Sequence, residues 1–281
     1  MTTLFILAVV MGLAAGPDAE RLDEFSSDLS DYNLSLDDAG RFAVLARSGA
    51  DFAQAAIYSA ERGAGGWAAP RRMAFSDPAW ADSDPWVTPD GRTIYFISTR
   101  PAPGREADRQ DYDIWRVDRT AAGWSEPEHL GPEVNSRGQE LGPELHGETL
   151  YFSSARRSGP GGLDIYQAGM KDGGFEPARL IDGPFLTAQS ESDFTLSRDG
   201  ATALFWRLVD GEGLLHIAHR SSAGWSEPAI LPPHINIGRF NFTPSFSTDG
   251  DEIRFASMPR GEETDGAMAD IYSVRLSGPA G

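Results

Sequence analysis

The hexapeptide Ala-Gly-Trp-Ser-Glu-Pro stands at residues 122–127 of this 281-residue chain and again at 223–228, 101 residues later. Six shared letters that include a rare Trp mark an internal repeat, and a repeat fixes the architecture before any local feature does. Half of that spacing leads to two related segments, GAGGWAAP ending at Pro70 and DGGFEP ending at Pro177. The repeated unit is therefore about half of 101 residues long.

The fullest copy runs from Asp82 to Leu130. SDPWVTPDGRTIYFIS reads as two strands joined by a tight turn at Pro89-Asp90-Gly91, where Gly accepts a positive φ. DYDIWRVDRT is a third strand with alternating apolar positions, and GWSEPEHL a fourth. The turn glycines recur as Gly40, Gly91, Gly147, Gly200 and Gly250, at intervals of 51, 56, 53 and 50. Second strands read FAVL, TIYF, TLYF, TALF and EIRF; third strands read AIYSA, DIWRV, DIYQA, HIAHR and DIYSV. Four short strands per copy of about 50 residues are the pattern of a β-propeller blade. The expectation is an all-β chain of five four-stranded blades at about 29–76, 80–131, 138–182, 189–232 and 239–276. The fifth copy has no fourth strand, so residues 17–24 are expected to complete it and close the ring, because an open edge invites aggregation.

Composition narrows the class. There is no Cys, which excludes disulfides, thiolate metal sites and a Cys nucleophile. Acidic residues outnumber basic ones, 42 to 24, for a net charge of -18, which argues against nucleic acid and anionic membrane surfaces as partners. The apolar run Leu4–Ala15 is shorter than the ~20 residues of a spanning helix and is followed by small residues. Residues 1–16 are read as a secretory signal, leaving a single monomeric propeller, 17–281, in the periplasm or outside the cell.

SDPWVTPDGRTIYFISTR, GPELHGETLYFSSARRSGPGGLDIY and TPSFSTDGDEIRFAS together resemble the WD-like propeller repeat of the TolB type. The resemblance spans residues 29–276, the propeller alone, and implies a role in binding by analogy of fold. Ala56 and His216 stand where that family's third strand usually begins with Asp.

In a propeller the first strand of each blade lines the central channel. Aligned on the turn, the copies place Asp31, Asp82, Glu140, Glu191 and Asn241 at one position. Two residues on, and on the same face of a period-two strand, come Asn33, Asp84, Gly142, Asp193 and Thr243. The expectation is an acidic mouth of Asp31, Asp82, Asp84, Glu140, Glu191 and Asp193. Two neutralisers are open. Each copy carries an Arg beyond its second strand (Arg47, Arg100, Arg156, Arg207, Arg260), which can pair with a carboxylate. Hard oxygen ligands at Asp82, Asp84, Glu140, Glu191 and Asp193 would instead suit Ca²⁺ or Mg²⁺.

Two functions follow. The first is a non-enzymatic binding or scaffold propeller that recognises a protein or envelope polymer through this acidic face. The second is a glycan-cleaving enzyme using Asp82, Asp84, Glu140 or Glu191, whose carboxyl groups would need to stand about 5–5.5 Å apart for retention or about 6.5–9.5 Å for inversion. Stacking aromatics are not evident: Trp86 has the opposite parity to Asp82 and Asp84, and Trp80 is the one candidate platform. Trp67, Trp124, Phe175 and Trp225 are read as packing between blades, and the histidines as structural.

Overall fold

A computed structural model describes residues 18–49, 52–104, 111–260 and 268–276. The segment read as a signal, the start of the closing strand, and parts of the loops at 100–109 and 260–266 lie outside the described residues. Within them the chain is all β: no helix is present, and none could cross a membrane.

The strands fall into five successive antiparallel units. Their first, second and third strands are Ser30–Leu36, Phe42–Ser48 and Ala56–Gly63; Asp82–Val87, Thr93–Ser98 and Asp113–Thr120; Glu140–His146, Thr149–Ser154 and Asp164–Lys171; Glu191–Leu196, Thr202–Val209 and Glu212–Ser221; and Phe240–Phe246, Glu252–Met258 and Asp270–Arg275. The first two strands of each unit are joined through its turn glycine, and all five glycines have positive φ, between 59° and 77°. At the outer edge Glu20–Arg21 pairs with Ser273 and Tyr272 of the last strand. Arg21 adds an ion pair to Asp270 at 3.2 Å.

The fourth strand departs from the expected single run. In the second unit it is two short pieces, Gly123–Trp124 and Glu128–His129, both against Asp113–Thr120. Pro127 has no N–H to give to a ladder, which interrupts the pairing between the pieces. The same split recurs in the first, third and fourth units.

The core lies between units. Phe42, Val44 and Ile57 of the first unit pack with Ile94, Phe96 and Val117 of the second; Leu34, Ala43 and Leu45 of the first pack with Ile271 of the last. The recurrent aromatics work here: Trp124 stacks on Phe42 at 5.8 Å, Trp67 meets Phe25 at 5.2 Å, and Trp225 meets Phe185 at 5.2 Å. His216 lies flat on Phe205, and burial lowers its pKa to about 4, so it packs as a neutral ring.

Candidate functional site

The acids expected to share one mouth separate into two sets with different partners. Asp31, Asp82, Glu140 and Glu191 are completely buried, and each is held by its own unit's Arg: Arg47 at 2.6 Å, Arg100 at 2.6 Å, Arg156 at 3.3 Å and Arg207 at 2.8 Å. Each guanidinium also donates to a backbone carbonyl, that of Phe25, Phe75, Val134 and Phe185 in turn. Burial raises all four carboxyls, against the lowering effect of Arg and hydroxyl donors. The fifth unit departs: Asn241 is satisfied by Gly238, Gly213 and Ser257, and Arg260 turns to Glu212 at 2.6 Å. These pairs lock the second strand to the first, and they present no free acid to a partner.

The second set sits at a β-bulge that the period-two rule could not anticipate. The register of every first strand shifts, between Tyr32 and Ser35, Ser83 and Trp86, Leu141 and Glu144, Ser192 and Thr195, and Phe242 and Ser245. The residues within these shifts, Asn33, Asp84, Gly142, Asp193 and Thr243, all take left-handed conformations, with φ between 48° and 56°. A bulge re-aims side chains, so Asp82 and Asp84 do not act together. Among the described residues no three His, Asp or Glu side chains come together to hold a metal ion. The expected chelating set of Asp82, Asp84, Glu140, Glu191 and Asp193 is thereby divided.

The bulged residues clasp one another across units. Asp84 Oδ2 accepts the Gly142 N–H at 2.9 Å, Asp193 Oδ2 accepts the Thr243 N–H at 2.9 Å, and Thr243 Oγ1 accepts the Asn33 N–H at 3.2 Å. Trp206 Nε1 donates to Asp193 Oδ2 at 2.8 Å, and Ser83 and Ser192 donate to their neighbouring aspartates. Both carboxylates close on Gly142, because a Cβ there would lie 2.7 Å from Asp193 Oδ1. Burial, then the facing Asp193, pushes Asp84 up to about 7, and burial also raises Asp193. Unlike the outer acids, neither has a cationic partner among the described residues.

This constriction divides two spaces. Residues one step earlier in the first strands, with loop residues, line a cavity of about 260 Å³ whose walls are Tyr32, Phe52, Tyr112, Trp206, Phe240 and Phe242, with Asp84 and Asp193 at its base. Residues one or two steps later, including Trp86 and Glu144, line a smaller space of about 40 Å³. Three expectations are corrected here. The bulge carries Trp86 to the same axis as Asp84, stacking aromatics are present, and Trp80 lines neither space. Glu144 carries no signal of this kind in the sequence. It accepts from Thr195 and the Leu196 N–H, and burial pushes it up to about 7.

Gly142 supplies a direct check of this packing. Gly142→Ala should destabilise the protein by roughly 2–3 kcal/mol, since a left-handed Ala costs about 1–2 kcal/mol before it displaces Asp193. Gly147→Ala has φ 59° but nothing within 4 Å of its Cβ, so it should lose the conformational part only. Urea unfolding of the two variants measures the difference.

No family model and no curated protein matches the chain. Solved structures do. TolB from Acinetobacter baumannii aligns with a TM-score of 0.54 at 16% identity, over 91% of this chain and 57% of its own, so the present chain spans little more than half of that protein. A complex of BT0996 with RGII aligns with a TM-score of 0.60 at 12% identity, covering 98% of this protein and 95% of the other. A glycoside hydrolase aligns at 0.55 and 10% identity, over 95% and 91%. At these identities the likeness establishes the fold alone: this is a β-propeller of the kind that TolB carries. Its chemistry has to be argued from the site.

Proposed function

We propose that the chain is an exported, monomeric propeller of five four-stranded blades, closed by its N-terminal strand, that binds an envelope polymer or protein at the channel-mouth face without cleaving it. The recognition site on this reading is the central aromatic cavity, and no longer an acidic rim. The observation that carries it is the 260 Å³ cavity, walled by aromatic rings around a rigidly held polar base. Such an arrangement of apolar walls with a few placed polar groups is the ordinary make-up of a ligand site. The Arg-paired acids Asp31, Asp82, Glu140 and Glu191 line no part of this cavity. Export rests on the apolar run Leu4–Ala15.

One observation favours the second reading, glycan cleavage. Asp84 and Asp193 face one cavity and burial raises both, while Asp193 accepts three hydrogen bonds to the two of Asp84, an unequal pair of the kind that can supply an acid and a charged partner. One experiment separates the two. Envelope polysaccharide digests are passed over the immobilised protein, and both retention and new reducing ends are measured. Retention of intact material, lost in Phe240→Ala, supports binding. New reducing ends, lost in Asp84→Asn, would replace it with hydrolysis, and no retention beyond that of Phe240→Ala would overturn the cavity as the site.

A further inference from the structure

Four of the seven first-strand acids have a guanidinium each, and among the described residues Asp84, Asp193 and Glu144 have none. Asp84 and Asp193 are the two of these that face the aromatic cavity, while Glu144 lines the smaller space. Arg47 and Arg207, near the ends of their second strands, and Arg100 and Arg156, two residues beyond theirs, all reach back to the outer position and are spent there. Among the described residues the groups that face Asp84 are Asp193, the hydroxyls of Ser83, Tyr32 and Tyr112, and the Gly142 N–H, none of them a cation. Among the described residues those that face Asp193 are Asp84, Ser192, Trp206 and Thr243.

Two unneutralised carboxylates against low-dielectric walls are costly unless a positive charge joins them. The walls are suited to one. Tyr32, Phe52 and Phe242 meet edge to face or tilted at 5.2–5.8 Å, and Phe240 joins Phe242 at 5.5 Å and Trp206 at 4.9 Å. Aromatic faces grouped in this way attract an organic cation through their quadrupoles. Phe52 reaches its place with φ 58°, an uncommon conformation for a bulky residue and one that clusters at ligand sites. Asn33, which lines both spaces, has a buried Oδ1 with no hydrogen-bond donor among the described residues. At about 260 Å³ the space falls just below the range of about 300–1,000 Å³ usual for larger ligands, so it suits a group of monosaccharide size or smaller.

From this geometry we infer that the cavity binds an organic ammonium group, which sits over Asp84 and Asp193 and within the ring of Tyr32, Phe52, Trp206, Phe240 and Phe242. The inference rests on the reading of the cavity as the binding site and adds the charge of what enters it. It also couples binding to a proton. Below neutral pH the pair keeps a proton at Asp84, and an ammonium must displace it. Affinity should therefore rise as pH increases from 6 to 8, with proton release on binding.

The test uses the full chain and two matched probe pairs, choline with 3,3-dimethylbutan-1-ol and glucosamine with glucose. Binding is followed by calorimetry and by Trp fluorescence. The expected result is that the charged member of at least one pair binds tenfold or more tightly than its neutral partner. For choline, whose charge does not titrate, that preference should grow from pH 6 to 8, and for either pair it should collapse in Asp84→Asn, whose Asn keeps an acceptor for Gly142 and tolerates the left-handed backbone. Preference for choline points to a quaternary head group, and preference for glucosamine to an amino sugar. Neutral members binding as tightly as charged ones, with loss in Phe240→Ala, would overturn the ammonium inference and leave the cavity as a site. No binding of any probe, beside retention of neutral envelope polymer, would overturn it in the same way.

Discussion

Replacing Asp84 by Asn should stabilise the protein at pH 8 by about 2–4 kcal/mol, a rise in Tm of roughly 5–10 °C for a chain of this size. The reason is linkage. Asp84 sits at about 7 in the folded protein against an ordinary carboxyl value of 3.8. Between those values the folded state holds a proton that the unfolded chain has lost, so the fold binds more protons and stability falls as pH rises. Above 7 the full cost of a buried charge facing Asp193 is present, and an amide does not carry it. The gain should shrink as pH falls, become small near pH 4, and vanish below the ordinary carboxyl value of 3.8, where Asp84 is protonated in both states. Glu144, raised to about 7 from 4.5, acts in the same window and the same direction. The wild-type protein should accordingly be most stable on the acid side of neutrality, down to the range where Asp182, Asp199 and Asp249, all lowered by their hydrogen-bond donors, take up protons. Thermal melts of the two proteins at pH 4, 6 and 8 measure this. No gain at pH 8 would mean that Asp84 carries no buried charge, and would remove the electrostatic basis of the ammonium site. A residue kept at such a cost to stability is the usual mark of a functional position.

The repeat made the scaffold legible because each copy repeats the same physical demand. A tight turn needs a left-handed residue, so glycine recurs at 40, 91, 147, 200 and 250. A buried acid needs a cation, so an Arg recurs at or just past the end of each second strand, and the one copy with Asn241 instead of an acid lets its Arg260 go elsewhere. The site was less legible because its geometry breaks the period on which strand reading depends. The column Asn33, Asp84, Gly142, Asp193, Thr243 looks chemically mixed as a list of channel-facing ligands. As a list of backbone conformations four of its five members are coherent, since Asn, Asp and Gly are the residues that best tolerate positive φ, and Thr243 is the exception. Pro85, Pro143 and Pro244 follow three of the five, and Pro in a strand belongs at an edge or a bulge. That column was the available signal for the bulge. The aromatic cavity had no comparable signal. Tyr32 and Phe242 come from first strands, Trp206 from a second strand, and Phe52 and Tyr112 from loops, so no column of the repeat displays them together.

Arg100→Met should be the most damaging of the Arg substitutions, costing about 3–5 kcal/mol, while Arg260→Met should cost no more than about 1 kcal/mol. Arg100 holds both oxygens of Asp82, at 2.6 and 3.0 Å, and donates to the Phe75 carbonyl and to Ser98. Asp82 is completely buried, so without the guanidinium it keeps a desolvated charge or takes up a proton, and either is expensive at neutral pH. Arg260 is about half exposed and pairs with a partly exposed Glu212, while the neutral Asn241 at the buried position is satisfied by backbone and Ser257. The fifth unit is thus a natural example of the same site with its charge removed. It predicts that the double variant Asp82→Asn, Arg100→Met recovers much of the stability lost by Arg100→Met alone. Urea unfolding of the four proteins at pH 7.5 tests the argument. Equal losses for Arg100→Met and Arg260→Met would show that the buried pairs do not hold the units together. A double variant no better than Arg100→Met would place the loss in the Phe75 and Ser98 contacts and not in the stranded carboxylate.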